Sequence, residues 1–333
     1  MKLQVSSSPH IGTKLTTQKI MGHVCIALLF PTIAGTVMFG IYSFVVVLVA
    51  AASAVLAEFL YNKITRQPLT VNDLSALVTG MILGLNLPPT APLFVPIVGS
   101  FFAIMIVKML FGGIGRNFAN PAATARLFLV LSWTGFMTNY AAPVDYSQGF
   151  WKAFVSGFTK EYVTSATPLT ALKGASGAVP ESINLLDMFL GRIGGSIGEV
   201  CAVAIILGFI YLMIFKIIDW KLPVVYIAAS AVAALVFYKN GWLFILPTLL
   251  SGGLLFAAVY MLTDYSTSPN TTIGRIIFAA GAGFLTVLFR RYSGMVGGVS
   301  FAIVLMNLTV PLLDRIIPKP FGYVKPKKEA ARD

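Results

Sequence analysis

The stretch "IYSFVVVLVAAASAVLAEF", residues 41–59, decides the fold because it holds 19 residues with a single charged side chain, Glu58. As a helix, a run of this length crosses the hydrocarbon core of a bilayer, which is about 30 Å thick and needs about 20 apolar residues. The run is unbroken and lacks the alternation of a membrane β-strand, and backbone groups in lipid must be hydrogen-bonded internally. It therefore predicts a transmembrane α-helix.

The whole chain repeats this character. It has 333 residues, of which 57% are hydrophobic and 11% charged, and its mean hydropathy is +0.85. A soluble core does not hide that much apolar surface, so the sequence predicts an all-α polytopic membrane protein. Ten apolar runs are candidate transmembrane helices: 21–39, 41–59, 74–88, 93–111, 125–142, 196–215, 222–238, 241–263, 273–290 and 292–313.

The distribution of basic residues predicts the orientation. Ten spans place both termini on one side, and a cytoplasmic N-terminus puts seventeen Lys and Arg residues inside and seven outside, in agreement with the positive-inside rule. Basic residues that flank apolar spans also account for the net charge of +12 without nucleic acid as a partner. The predicted parts are a cytoplasmic tail (1–20), a first transmembrane repeat (21–142), an extracytoplasmic loop (143–195), a second repeat (196–313) and a basic cytoplasmic tail (314–333).

The two predicted repeats share an order of features at an offset near 180 residues. In each, a pair of glycines precedes a turn that contains proline, and a glycine cluster follows. The features are Gly80, Gly84, 86–92 and 112–115 in the first half, and Gly252, Gly253, 263–272 and 294–298 in the second. The predicted topology turns the first of these turns outward and the second inward, so we expect two inverted five-helix repeats, similar to the layout of urea transporters. Glycine and proline are also common in membrane helices without any repeat.

The predicted outer loop contains a polar stretch, "KEYVTSATPLTALKG" at 160–174. Its hydroxyl groups make it a candidate for covalent modification, and Pro168 biases Thr167 toward an extended backbone. An ordinary solvated loop has the same composition.

Part of this stretch, "EYVTSATPLT", resembles the flavin-attachment motif of a family of membrane subunits. The family comprises the D subunit of the Rnf ferredoxin:NAD+ oxidoreductase and the B subunit of the Na+-translocating NADH:quinone oxidoreductase. By this resemblance Thr167 is the acceptor and Ala166 the preceding Ala, while Thr164 takes the hydroxyl position. Glu161 stands where the family has Asp, and Ser165 where it has Gly.

The resemblance extends over nearly the whole chain, because "GGIGRNFANPAATARL" at 112–127 and "TDYSTSPNT" at 263–271 are also similar to segments of these subunits. It implies that a flavin transferase joins FMN through its phosphate to Thr167 on the outer face. It further implies an electron relay that works with the A, B, C, E and G subunits of Rnf, coupling ferredoxin oxidation and NAD+ reduction to Na+ or H+ translocation. The short N-terminal tail favours the Rnf branch over the quinone-reductase branch.

The segment 112–127 also carries a second candidate site. Its glycines permit unusual backbone angles, Pro121 interrupts helical hydrogen bonding, and Asn117 and Asn120 can satisfy the freed backbone groups. We expect a broken helix that lines a cavity, although simple helix packing explains the same residues. The family resemblance implies a second, non-covalent flavin, riboflavin, for which Asn117 and Asn120 are candidate contacts.

Carboxylates near the span ends are candidates for an ion pathway. Asp264 is the best of them, because it lies in the second repeat-related turn; Glu58 and Glu199 lie near the ends of their spans. Two cysteines supply neither an iron–sulfur cluster nor a disulfide framework, and no metal site is predicted. The alternative function is a channel for a small solute such as urea, without a redox role, which does not need the polar outer loop.

Overall fold

The computed structural model describes residues 16–148, 150–155, 163–174, 178–180, 183–293 and 298–316. This part of the chain is built from helices, with one isolated β-bridge between Ala141 and Thr164. The helices of the first half are α1 (Thr17–Phe39), α2 (Ile41–Ile64), α3 (Ser75–Leu85), α4 (Phe94–Met109), α5 (Pro121–Ser132) and α6 (Thr134–Met137). Between the halves lie α7 (Phe150–Val155), α8 (Pro168–Gly174) and α9 (Leu185–Leu190). The second half has α10 (Ala202–Ile214), α11 (Lys221–Phe237), α12 (Gly241–Leu250), α13 (Leu254–Met261), α14 (Thr272–Tyr292) and α15 (Val299–Leu313).

Each of the ten apolar runs contains a helix, but most of these helices are shorter than predicted. Among the described residues, three are long and apolar enough to cross a bilayer, namely α1, α2 and α14, and a fourth span results if α12 and the bent α13 count together. The other six apolar helices have 10–17 residues. These lengths and compositions mark a membrane protein. Ten complete crossings stay a prediction.

Short helices in a membrane protein need protein around their ends, because lipid offers no hydrogen-bond partners. α3 meets this condition by packing closely on α2. A Cβ on Gly80 would lie 2.7 Å from Ala50 O, and a Cβ on Gly84 would lie 2.8 Å from Val47 Cα. Glycines four residues apart therefore let the two backbones touch, as small residues do in membrane helix pairs.

The break between α12 and α13 bends the chain by 65°. Gly252 and Gly253 form it with φ angles of +60° and +69°, a left-handed conformation that glycine adopts without a Cβ clash. Ser251 precedes them in an extended conformation. The predicted run 241–263 is thus a broken helix rather than one straight span.

Corresponding helices of the two halves make corresponding contacts. α2 contacts α3 and α4, as α11 contacts α13 and α14, and α4 contacts α5 as α14 contacts α15. The halves meet through their first helices, α1 and α10, and through α5 and α15. The five-helix repeat and its inversion across the membrane both stay predictions.

Three basic residues that the orientation count assigned to one side of the membrane are buried inside the protein. Lys108, Arg126 and Arg290 are at most 5% exposed. The positive-inside rule concerns charges in loops, so these three do not report on orientation. Without them the distribution changes from seventeen against seven to fifteen against six, which still favours cytoplasmic termini.

Candidate functional site

The described part of the outer-loop motif runs alongside the segment that follows α6. Ala142 donates its backbone N–H to Val163 O at 2.8 Å, and Ser165 donates to Tyr140 O at 3.0 Å. Thr164 lies between them in the bridge to Ala141 and is exposed, as is Ala166. Glu161 lies outside the described residues. The motif is therefore held against the first half by backbone hydrogen bonds that do not depend on its side chains.

Thr167 ends this extended segment and immediately precedes α8. Its carbonyl accepts from the backbone N–H of Thr170 at 3.0 Å and from the Thr170 hydroxyl at 2.6 Å. Its own hydroxyl is buried without a hydrogen-bond partner, and the residue is 7% exposed. An unpartnered hydroxyl fits an ester oxygen, because an ester has no hydrogen to donate.

α8 is fixed to the second half. Leu169 and Leu172 are buried, and Leu172 packs with Val287 of α14 and with Tyr238. Arg291 donates from Nη1 to Lys173 O at 3.0 Å and lies over the Tyr238 ring at 5.5 Å. The Lys173 amino group in turn donates to Ser293 O. Thr167 therefore immediately precedes a helix that is held in place by packing and hydrogen bonds.

A cavity elsewhere in the molecule brings together the three other predicted site residues that the structure describes, Asn117, Asn120 and Asp264. It holds about 740 Å3 of empty space, including its open mouth. Apolar residues of four helices form much of its wall, among them Val24, Ile82, Leu212 and Val259. A mostly apolar lining with a few polar groups is typical of a small-molecule site.

Asn120 caps the N-terminus of α5 and reaches across to the second half. Its side chain accepts from Ala123 N at 3.1 Å and donates from Nδ2 to Met261 O at 3.0 Å. Asn117 Oδ1 is buried without a hydrogen-bond partner. The preceding residues Gly112, Gly113 and Gly115 have φ between +82° and +108°, which confirms the predicted unusual backbone angles. The segment between α4 and α5 is a break in the helix, also as predicted.

Asp264 lies in the turn that follows α13. Its carboxylate accepts from the backbone N–H and hydroxyl of Ser266, and from the Thr267 hydroxyl at 3.2 Å. Thr267 O accepts from Asn307 Nδ2 at 2.9 Å. The carboxylate thus faces the cavity from a turn that is tied to α15.

A buried ion pair at the edge of this cavity was not predicted as such. Lys108 Nζ lies 3.0 Å from Glu58 Oε1 and donates to Ser75 Oγ at 2.6 Å. Lys108 belongs to a π-helical segment, Phe102–Met109, and such segments often mark functional sites. Thr70 also donates to Glu58 Oε1, at 2.6 Å. A lysine near the end of an apolar run was the available signal, but its partner Glu58 is 50 positions away.

Between the loop and the cavity lies a second buried cluster of charges. Arg126 donates from Nη1 to Asn86 Oδ1 at 3.1 Å, and its Nη2 lies 4.0 Å from Glu199 Oε2. The Tyr140 side chain also interacts with Arg126. Asn86 Nδ2 contacts Met261 Sδ at 3.7 Å. Since Tyr140 O also accepts from Ser165, polar contacts lead from the loop motif through Arg126 to the residues around Asn120.

Metal ligands are not grouped in the described residues, where no three His, Cys, Asp or Glu side chains could hold one ion. Cys25 and Cys201 are free thiols. The candidate chemistry of the described residues thus rests on the Thr167 hydroxyl and on the cavity.

Comparison with known proteins adds an independent observation. Residues 4–322 match the model of the NQR2, RnfD, RnfE family. The chain is 41% identical to the D subunit of the Na(+)-translocating ferredoxin:NAD(+) oxidoreductase complex of Acetobacterium woodii, over 99% of this chain and 98% of that protein. It is 37% identical to the D subunit of the proton-translocating ferredoxin:NAD(+) oxidoreductase complex of Clostridium ljungdahlii, over 96% of both chains. It is 33% identical to the D subunit of the ion-translocating oxidoreductase complex of Escherichia coli, over 98% of this chain and the whole of that protein.

Proposed function

Because the chain belongs to the NQR2, RnfD, RnfE family, we propose that it is the membrane subunit of an ion-translocating ferredoxin:NAD+ oxidoreductase and carries FMN on Thr167. It is one subunit of a translocase, which takes its ferredoxin, NAD+ and iron–sulfur chemistry from partner subunits of the A, B, C, E and G types. The three named relatives are all D subunits, and full-length similarity to them supports this role over that of a solute channel.

The observation that carries the flavin assignment is the Thr167 hydroxyl, which is buried without a hydrogen-bond partner at the acceptor position of the motif. FMN, when bound, supplies one- and two-electron redox chemistry that no threonine has. The chain supplies the anchor: a phosphoester on this oxygen removes no hydrogen bond of the fold. The backbone hydrogen bond of Ser165 precedes Thr167, and the contacts of α8 follow it, so Thr167 is held in place from both sides.

The cavity supports a second, non-covalent flavin such as riboflavin. A mostly apolar wall suits a flavin ring, and Asn117 Oδ1 offers an unused acceptor. The Asn120 side chain is already hydrogen-bonded to the backbone of Ala123 and Met261. Its role is therefore to hold the backbone around the cavity. Flavin released from the unfolded complex, separated by chromatography from the covalent fraction, tests this assignment with Asn117→Ala as the variant.

Asp264 is proposed to lie on the ion pathway. It is the carboxylate that faces the cavity, and a carboxylate at membrane depth commonly marks such a path. The named ions of two relatives differ, Na+ in one and the proton in the other, so the ion is to be determined by experiment. Na+ uptake and proton uptake by inverted vesicles, each measured with Asp264→Asn, distinguish the two.

In this function the chain crosses the cell membrane several times, with both termini in the cytoplasm and the Thr167 loop outside. The charge distribution supports that orientation. The flavin transferase would then act on the outer face.

Mass spectrometry of the chain purified within its complex tests the flavin assignment. A peptide that contains Thr167 should gain roughly 0.44 kDa, the mass of an esterified FMN. Thr167→Ala should abolish the gain, and Ser147→Ala, which removes an exposed hydroxyl outside the motif, should leave the chain competent for modification. A bare Thr167 peptide from cells that express the transferase would exclude this role.

A further inference from the structure

Arg290 is a buried cation that neither the flavin site nor the cavity uses. It lies near the C-terminal end of α14 and is 2% exposed. Its guanidinium donates to three backbone carbonyls, from Nη1 to Thr248 O at 2.7 Å and from Nη2 to Ser251 O at 2.9 Å and Gly252 O at 2.7 Å. Among the described residues no carboxylate forms an ion pair with it within 4.0 Å. Backbone dipoles are therefore its direct partners.

The three carbonyls belong to the end of α12 and to the break that follows it. The last carbonyls of a helix lack intrahelical donors and form the negative end of the helix dipole. In membrane transporters, carbonyls of unwound or half helices of this kind coordinate Na+. In this chain the guanidinium stands where such a cation would bind.

A carboxylate, that of Glu199, lies on the opposite side of the break. α13 begins directly after Gly253, and a Cβ on Gly253 would lie 2.8 Å from Glu199 Oε2. That oxygen has no hydrogen bond, and its nearest cation is Arg126 at 4.0 Å. Thr248 Oγ1 and Arg290 Nε are also buried without hydrogen-bond partners. The break thus holds a carboxylate oxygen and a hydroxyl that a small cation could use in addition to the carbonyls.

The break also lies between the outer loop and the cavity. On one side a Cβ on Gly252 would lie 3.0 Å from Leu169 of α8, next to Thr167. On the other side Val259 and Tyr260 of α13 line the cavity. A cation that passed through the break would therefore connect the outer loop with the cavity that contains Asp264.

We propose that Arg290 is a tethered cation that occupies the carbonyl site of the broken helix and closes it to a free monovalent cation. With a shorter, neutral residue at this position the carbonyls lose the positively charged guanidinium, and the site becomes one for a free monovalent cation such as Na+. This role stands on the geometry of the break and holds whether or not Thr167 carries FMN. A guanidinium that served only to satisfy the carbonyls would leave no cation site when removed.

The test uses the full chain in its complex, with Arg290→Gln as the variant and Arg275→Gln as the control. Arg275 lies on the same helix, where it contacts Asp219 and Pro269 O on a partly exposed surface. Thermal unfolding is followed in NaCl and in choline chloride at equal ionic strength. Saturating Na+ should raise the Tm of Arg290→Gln by about 3 °C relative to choline, since a ligand that binds the folded state stabilises it. Wild type and Arg275→Gln report any Na+ bound elsewhere in the complex, and the shift of Arg290→Gln should exceed theirs by that amount.

The second readout is passive 22Na+ efflux from proteoliposomes that receive no electron donor. Arg290→Gln should raise the efflux about tenfold over wild type, as expected for a barrier that loses its fixed charge. A folded Arg290→Gln complex with neither Na+-dependent stabilisation nor increased efflux would show that Arg290 only caps the carbonyls.

Arg290→Lys decides the matter if Arg290→Gln does not fold. Lysine is also a tethered cation, and its ammonium has three N–H donors for the three carbonyls. The Na+-dependent Tm shift and the efflux of Arg290→Lys should therefore equal those of wild type. A folded lysine variant that gains the Na+-dependent stabilisation and the increased efflux would overturn the proposal, because a tethered charge would then not close the site.

Discussion

The backbone N–H of Asn120 donates to the side chain of Asn307 at 3.1 Å, and this contact joins the last membrane helix of one half to that of the other. Asn307 also donates from Nδ2 to Thr267 O, in the turn that contains Asp264. Both asparagines are at most 3% exposed. The cavity is thus closed on this side by hydrogen bonds between the halves, and its shape depends on how the halves are docked.

Asn307→Ala should therefore weaken the docking of the halves. The substitution leaves Asn120 N–H and Thr267 O buried without partners, at a cost of about 1–3 kcal/mol for each unsatisfied group. Thermal unfolding of the complex measures the loss. Asn270→Ala is the matched control, because Asn270 is exposed and contacts Asp314 at the surface; equal destabilisation by the two variants would argue against the bridge.

Lys108→Met should destabilise the chain more than the loss of a surface charge does. It leaves Glu58 buried and unpaired, which costs about 3–5 kcal/mol when one partner of a buried pair is removed. The double variant Lys108→Met/Glu58→Leu should recover much of that stability, since neither charge is then buried. Double-mutant analysis of unfolding checks this expectation, and a double variant no more stable than Lys108→Met would contradict it.

Arg291→Gln should loosen α8 without unfolding the membrane helices. The substitution removes the donor to Lys173 O and the cation–π contact with Tyr238, together worth about 1–2 kcal/mol. We expect faster proteolysis within 163–174 and lower FMN occupancy at Thr167, with an unchanged global Tm. Arg275→Gln serves as the control on the same helix, and a loss of occupancy in both variants would point to a general defect.

The orientation of the loop is open to a labelling experiment. Val163→Cys places a thiol at a position that is 74% exposed, and Gln67→Cys places one at an exposed position in the turn after α2. In a background without Cys25 and Cys201, an impermeant maleimide should label Val163→Cys in intact cells and Gln67→Cys only in inverted vesicles. The reverse pattern would place the motif in the cytoplasm.

The sequence was sufficient to locate the helices, because an apolar run in lipid has few alternatives to a helix. It was also sufficient for the backbone angles at Gly112, Gly113 and Gly115, since glycine adopts a positive φ without a Cβ clash. It did not reveal the true lengths of α3 and α5 or the 65° bend after α12. Those depend on which helix ends are covered by neighbouring helices, and a one-dimensional pattern does not contain that information.

The candidate site, too, could be predicted from the sequence only in part. Asn117, Asn120 and Asp264 were singled out separately, and only the fold brings them to one cavity. Lys108, Arg126 and Arg290 entered the sequence analysis only in the count of charges on each side of the membrane, because each is close to the end of an apolar run. Their partners are far away along the chain: Glu58 for Lys108, Asn86 for Arg126 and the carbonyls around Ser251 for Arg290.

The loop that bears Thr167 is attached at one end to each half of the protein. Residues 163–165 pair with 140–142 of the first half, and α8, which starts one residue after Thr167, is seated on α12 and α14 of the second. Thr167 therefore lies in the middle of a segment that connects the two halves. Because the two ends of this segment are fixed to different halves, sliding of one half past the other would displace Thr167 relative to at least one of them.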